Sequence, residues 1–144
     1  MTKILFALIA AAAGVATSLQ SAANAGLASR IGLGAALILN TLMVLVGTVV
    51  FYLLSGRQGT FFPAATPWFL YIGGLCGFVV ILSLAFVFPK IGAGVTIAIL
   101  VLGQGAAALA IDHFGVMGMP KEPLTLARLA GMLLACSGVA LMRV

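Results

Sequence analysis

The chain has 144 residues, 64% of them hydrophobic and only 6% charged, and its mean hydropathy is +1.33. A soluble domain carries roughly 25% charged residues to cover its surface, so a water-soluble globule is excluded and lipid must solvate most side chains. The net charge of +5 comes from seven basic residues (Lys3, Arg30, Arg57, Lys90, Lys121, Arg128 and Arg143) placed singly between apolar runs; without a patch or stripe, nucleic-acid binding is excluded too.

A hydrocarbon layer of about 30 Å needs roughly 20 apolar residues per helix, and charged and turn residues divide the chain into five such runs. The first helix is expected over about 3–28, ending before Arg30. The second runs over 31–55 and stops at Ser55-Gly56-Arg57-Gln58-Gly59. After the Phe61-Phe62-Pro63 loop the third covers 67–88, where Pro89-Lys90 is expected to force a tight turn, because a residue preceding proline is biased away from helix. The fourth covers 91–111. A loop with Asp112, His113, Lys121 and Glu122 follows, and the fifth occupies 124–143. The expected fold is thus an all-α integral membrane protein in one five-helix domain spanning 1–144.

The first run admits a second interpretation. Lys3, an apolar stretch and Ala23-Asn24-Ala25 before Gly26 match a cleavable signal peptide with an A-x-A site. Against cleavage, Thr17, Gln20, Ser21 and Asn24 are spaced to form a polar stripe on one helix face, which a signal peptide does not need. Retention of the first helix is expected.

Tyr52 closes the second run, and Trp68, Phe69 and Tyr71 open the third. These ends share one membrane boundary and make an aromatic belt. With five crossings, Lys3, Arg57, Lys121 and Arg128 fall on the side of Met1, and Arg30, Lys90 and Arg143 on the other. Four against three is almost no excess for the positive-inside rule. Orientation is weakly specified, and the two orientations together permit an antiparallel homodimer, the inverted-repeat logic of many transporters.

Polar side chains inside membrane helices are functional candidates. Gln20, Asn24, Asn40 and Gln104 are the candidate substrate-binding residues, because a lone amide in lipid is costly and must face a neighbour or water. Packing by interhelical hydrogen bonds is the competing role, and it is favoured for Ser83, Thr96 and Ser137. Gly73 and Gly77, four apart, and Gly103 and Gly105 are expected at close helix–helix contacts. The run Gly103-Gln104-Gly105 has no preceding strand, so it is not a dinucleotide loop, and no cofactor is expected. One His beside one Asp cannot complete a metal site; Asp112 and His113 suit capping and interface anchoring. Cys76 and Cys136 sit in apolar runs as small hydrophobes. Lys90 and Arg128 are expected to snorkel to the headgroups. No nucleophile–base pair lies at membrane depth, so an enzyme is not expected. No acid lies deep in any helix either, which disfavours a cation as substrate and points to a neutral, zwitterionic or anionic one.

The stretch Gly73-Gly74 through Phe88-Pro89-Lys90-Ile91-Gly92-Ala93, then Gly103-Gln104 and Ile111-Asp112-His113-Phe114-Gly115, resembles the small inner-membrane exporters of the drug/metabolite transporter superfamily (EamA-like, YdcZ type). The ending Lys121-Glu122-Pro123-Leu124-Thr125, Arg128-Leu129-Ala130-Gly131 and Gly138-Val139 is similar to that superfamily's last helix, and Gln20 and Asn24 match its early polar pair. The resemblance implies a multi-pass protein of the inner (plasma) membrane. It further implies half of a ten-helix inverted-repeat bundle, paired with an inverted copy or with a homologous small membrane protein, that exports a small molecule. It names no substrate. The alternative is a non-transporting membrane subunit that stabilises a partner complex.

Overall fold

The computed structural model describes residues 2–57, 59–61, 63 and 66–142. Among them there is no strand. The elements are α1 (Thr2–Ile31), α2 (Leu33–Leu54), a 3-10 turn (Trp68–Ile72), α3 (Gly73–Ile91), α4 (Ala93–Phe114), a short 3-10 turn (Val116–Gly118) and α5 (Leu126–Leu141). Four segments, Lys3–Ile31, Leu33–Leu54, Trp68–Ile91 and Ala93–Phe114, are long and apolar enough to cross a bilayer. The fifth, Leu126–Leu141, is a shorter apolar helix of about 24 Å at 1.5 Å per residue. The basic residue expected at its end, Arg143, lies outside the described residues.

Helices rather than strands follow from the solvent. In hydrocarbon every backbone N–H and C=O must be bonded within the protein, and an α-helix does this inside a single segment. Hydroxyls obey the same demand: Ser21, Thr41, Thr48, Thr96 and Ser137 each donate to the carbonyl four residues earlier, at 2.6–2.9 Å. Large apolar side chains such as Phe51, Leu75 and Leu134 point outward, the inverse of a soluble core.

Several helix boundaries differ from those expected. The proline does not end α3: Pro89 lies inside the helix, which continues to Ile91. Proline lacks an N–H and crowds the carbonyl of Ala85, a defect that membrane helices tolerate. The break falls instead at Gly92, with φ 84° and ψ 155°. Likewise α1 passes Arg30 and breaks at Gly32, with φ 88° and ψ 150°. Only a residue without Cβ enters this backbone region freely, so glycine fixes both boundaries. A third difference lies ahead of α3, where Trp68–Ile72 forms a 3-10 turn and the α-helix begins at Gly73. Similarly, α5 starts at Leu126, because Thr125 acts as its N-cap and accepts from the Arg128 N–H at 3.3 Å.

The chain forms two compact units, Met1–Lys90 and Ile91–Val144. In the first, α1 packs along α2, with Ser21, Asn24, Ala36 and Leu37 buried. In the second, α4 packs on α5. A Cβ added to Gly105 of α4 would lie 2.7 Å from Cε of Met132 on α5, so the flexible end of the Met132 side chain occupies the space beside this glycine.

Candidate functional site

Within the first unit the α1–α2 hairpin brings two of the candidate amides together. Gln20 Nε2 donates to Asn40 Oδ1 at 3.1 Å. The residues lie 12 positions before and 8 after Gly32, and each is about 5 Å from its own helix centre, toward the Gly32 end. This bond leaves Asn40 Nδ2 buried without an acceptor. A buried unpaired donor of this kind costs about 1–3 kcal/mol, so the hairpin holds an amide that is only half satisfied. Asn24, one turn further along α1, is 7% exposed, and Ser21 beside it 3%. Four of the residues that make up the polar stripe of α1 thus have different surroundings: Gln20 bonds across to α2, Ser21 and Thr17 bond back into α1, and Asn24 is buried.

Alongside the hairpin an apolar groove of about 530 Å³ runs between α2 and α3, lined among others by Leu37, Ile38, Thr41, Leu42, Phe78 and Leu82. Leu37 and Thr41 flank Asn40 within one helical turn, so an apolar surface adjoins the amide pair. No signal in the sequence marked this groove, because its walls are ordinary apolar residues.

Gln104 lies on α4 in the second unit, at the middle of that helix, and is exposed. It reaches the centre because α4 extends to Phe114, three residues past the expected end. Gly73, Gly77 and Gly103 have nothing within 4 Å of an added Cβ, whereas Gly105 meets Met132.

The charges gather where α4 meets α5. Arg128 Nη1 lies 3.5 Å from Asp112 Oδ2, and Nη2 lies 3.6 Å from Glu122 Oε2. One arginine thus holds the only two acids in the sequence. Backbone geometry makes this possible. Gly115, Met117 and Gly118 all have positive φ, and the chain folds back until the Glu122 N–H donates to the Asp112 carbonyl at 2.8 Å. His113 Nδ1 accepts from the Leu124 N–H at 3.4 Å. Arg128, expected to snorkel, also pairs with both acids, and the Asp112 carboxylate faces it. Lys90 covers the ring of Phe86, its Nζ 3.5 Å from the centroid. Among the described residues no three His, Cys, Asp or Glu side chains gather as metal ligands.

No curated protein and no solved structure matches the chain. A family described as "Putative inner membrane exporter, YdcZ" matches residues 5–141. That span takes in all four membrane-length helices together with the ion-paired loop and α5. The chain therefore belongs to the YdcZ family of inner membrane exporters and is a multi-pass membrane transporter protein.

Proposed function

We propose that the chain is a half-size transporter working as an antiparallel pair, and that it exports a small neutral, zwitterionic or anionic metabolite or drug by alternating access. The observation that carries this proposal is the unfilled Asn40 donor in the Gln20–Asn40 pair. Two amide N–H groups without an acceptor suit a substrate oxygen, carbonyl or carboxylate, and they repel a cation. The acids support the same class: both are held by Arg128, so no free carboxylate waits for a positive charge. Gln20, Asn24, Asn40 and Gln104 line the path, and an inverted partner supplies the mirrored set. That partner is a second copy or a homologous small membrane protein. Gly73, Gly77 and Gly103, open in the single chain, provide faces on which the partner's helices pack closely.

The test is cross-linking in a chain lacking Cys76 and Cys136. A mixture of Arg30→Cys and Arg57→Cys proteins is expected to link 30 to 57 between chains, because an inverted pair brings opposite helix ends to one face. Linking only 30 to 30 and 57 to 57 would mean parallel chains and favour the non-transporting subunit. Uptake by proteoliposomes of a panel of amino acids, organic acids and neutral drugs then reads the site. Gln104→Leu is expected to abolish uptake with assembly intact; full activity in that variant would remove Gln104 from the path.

A further inference from the structure

The groove between α2 and α3 lies wholly inside the first unit. Leu37, Ile38, Leu42, Phe78 and Leu82 supply most of its surface, and Thr41 is the single lining residue with a polar side chain. Thr41 sits about 4 Å from the centre of α2, at the depth of hydrocarbon. At that depth apolar contact selects nothing, because lipid tails are as apolar as leucine and fill such a groove equally well. A hydrogen bond does select. A polar group carried into hydrocarbon without a partner is costly, and a partner met there removes the penalty.

The polar groups on this turn of α2 have fixed and opposite roles. The Thr41 hydroxyl commits its one proton to the Leu37 carbonyl at 2.9 Å, so its oxygen has only lone pairs left to offer. Its neighbour Asn40 is the converse: Oδ1 accepts from Gln20 Nε2 at 3.1 Å, and Nδ2 keeps protons that meet no acceptor. The terminal torsion of an asparagine is soft, so a small swing brings Nδ2 to a molecule seated against Leu37 and Thr41. A group that meets both residues must accept and donate. A carboxylate only accepts and an ammonium only donates, whereas a hydroxyl does both.

We infer that the groove is a binding site for an apolar molecule bearing a neutral hydroxyl, a phenol or alcohol that enters from the lipid, donates to Thr41 Oγ1 and accepts from Asn40 Nδ2. The inference deepens the transport proposal and rests on it for calling the bound molecule a substrate, and it narrows the substrate class to neutral. The site is complete in one chain, since α2 and α3 supply every group that lines it.

Four probes on one ring system test the class: naphthol, methylnaphthalene, naphthoate and naphthylmethylammonium, all substituted at the same ring position. Full-length protein in lipid nanodiscs, with isotope-labelled leucine and isoleucine methyl groups, is titrated with each at neutral pH. Methyl shifts of Ile38, Leu42 and Leu82 report occupancy, and concentrations are referred to the lipid phase by partition into empty nanodiscs. Naphthol is expected to give saturable shifts with an affinity about three- to tenfold above each of the others, the effect of a neutral hydrogen bond. Thr41→Val keeps the shape and removes the acceptor, so the advantage of naphthol over methylnaphthalene should vanish; Thr41→Ser, which retains a hydroxyl, should keep it. Equal affinities for naphthol and methylnaphthalene would overturn the inference and make the groove a seat for acyl chains. Tighter binding of naphthoate or of the ammonium would overturn it too, as would shifts that never saturate or a naphthol advantage that survives in Thr41→Val. The unmutated chain decides the class even if a variant does not assemble. Binding is read here without transport: parallel chains in the cross-linking test would sink the antiparallel pair and leave this site standing, whereas a failed probe series would remove the site and leave the pair.

Discussion

Replacing Gly32 by alanine isolates the cost of the joint from every other effect. An added Cβ at Gly32 meets nothing within 4 Å, so no steric clash contributes, and the whole penalty is backbone strain at φ 88° and ψ 150°. A non-glycine residue held in that region costs about 1–3 kcal/mol. Gly47, in the middle of α2, provides the matched control: its surroundings are equally open, but its backbone is helical. There alanine should stabilise by about 0.5–1 kcal/mol. The two substitutions, chemically identical and in neighbouring segments, should therefore differ by roughly 1.5–4 kcal/mol, about ten- to a thousandfold in the unfolding equilibrium. Reversible unfolding of the detergent-solubilised protein by sodium dodecyl sulfate, followed by helical circular dichroism, measures both. Equal stability of the two variants would refute the strained-joint account, since it would mean that the chain turns at residue 32 without needing glycine.

Other perturbations separate the remaining roles. Asn40→Leu loses one interhelical bond of about 0.6 kcal/mol and also removes an unpaired buried donor; unfolding should move by less than about 1 kcal/mol while transport falls at least about tenfold, and a large stability loss with transport kept would make the pair simple packing glue. Gly105→Ala should be tolerated, because the contact at 2.7 Å is the mobile end of Met132. Gly105→Leu should cost about 1–3 kcal/mol, and Met132→Ala should recover part of it; failure of that rescue in the same detergent titration would mean that the two residues do not set the α4–α5 distance. Ser55→Lys with Thr60→Lys adds two positive charges to one membrane face and should fix the orientation read by reporter fusions at Val144. Activity should fall with it and return on co-expression with a chain biased the other way; undiminished activity from a single-orientation protein would rule out the antiparallel pair.

The helical content was legible because composition alone excludes water as the solvent, and five apolar runs separated by charges and turn residues leave little choice. The boundaries were less so. Arg30 and Pro89 suggested where α1 and α3 stop, yet both helices run on to the glycine two or three residues later. A charge marks proximity to the interface, while reversing the chain needs a backbone region that glycine alone enters freely. The repeated Arg/Lys-Ile-Gly-x-Gly sequence held that information, but its meaning appears only when the two φ, ψ pairs are compared. For the site, residue type was informative and partnership was not. Gln20 and Asn40 stood out as amides in lipid, but their meeting depends on the register with which α1 crosses α2. The ion pairs of Arg128 are not legible at all, because nothing in the spacing shows that Gly115, Met117 and Gly118 fold the loop back to deliver Glu122 beside it.

The one-residue joints at Gly32 and Gly92 leave no polypeptide to project from the membrane where α1 meets α2 and α3 meets α4, whereas the connections near residues 55–67 and 115–125 are long enough to protrude. A soluble protein, antibody or protease therefore finds more chain to grip at those two connections than at the glycine joints. An epitope tag inserted at the 55–67 connection should be displayed without harm, and the same tag at Gly32 should prise the α1–α2 hairpin apart.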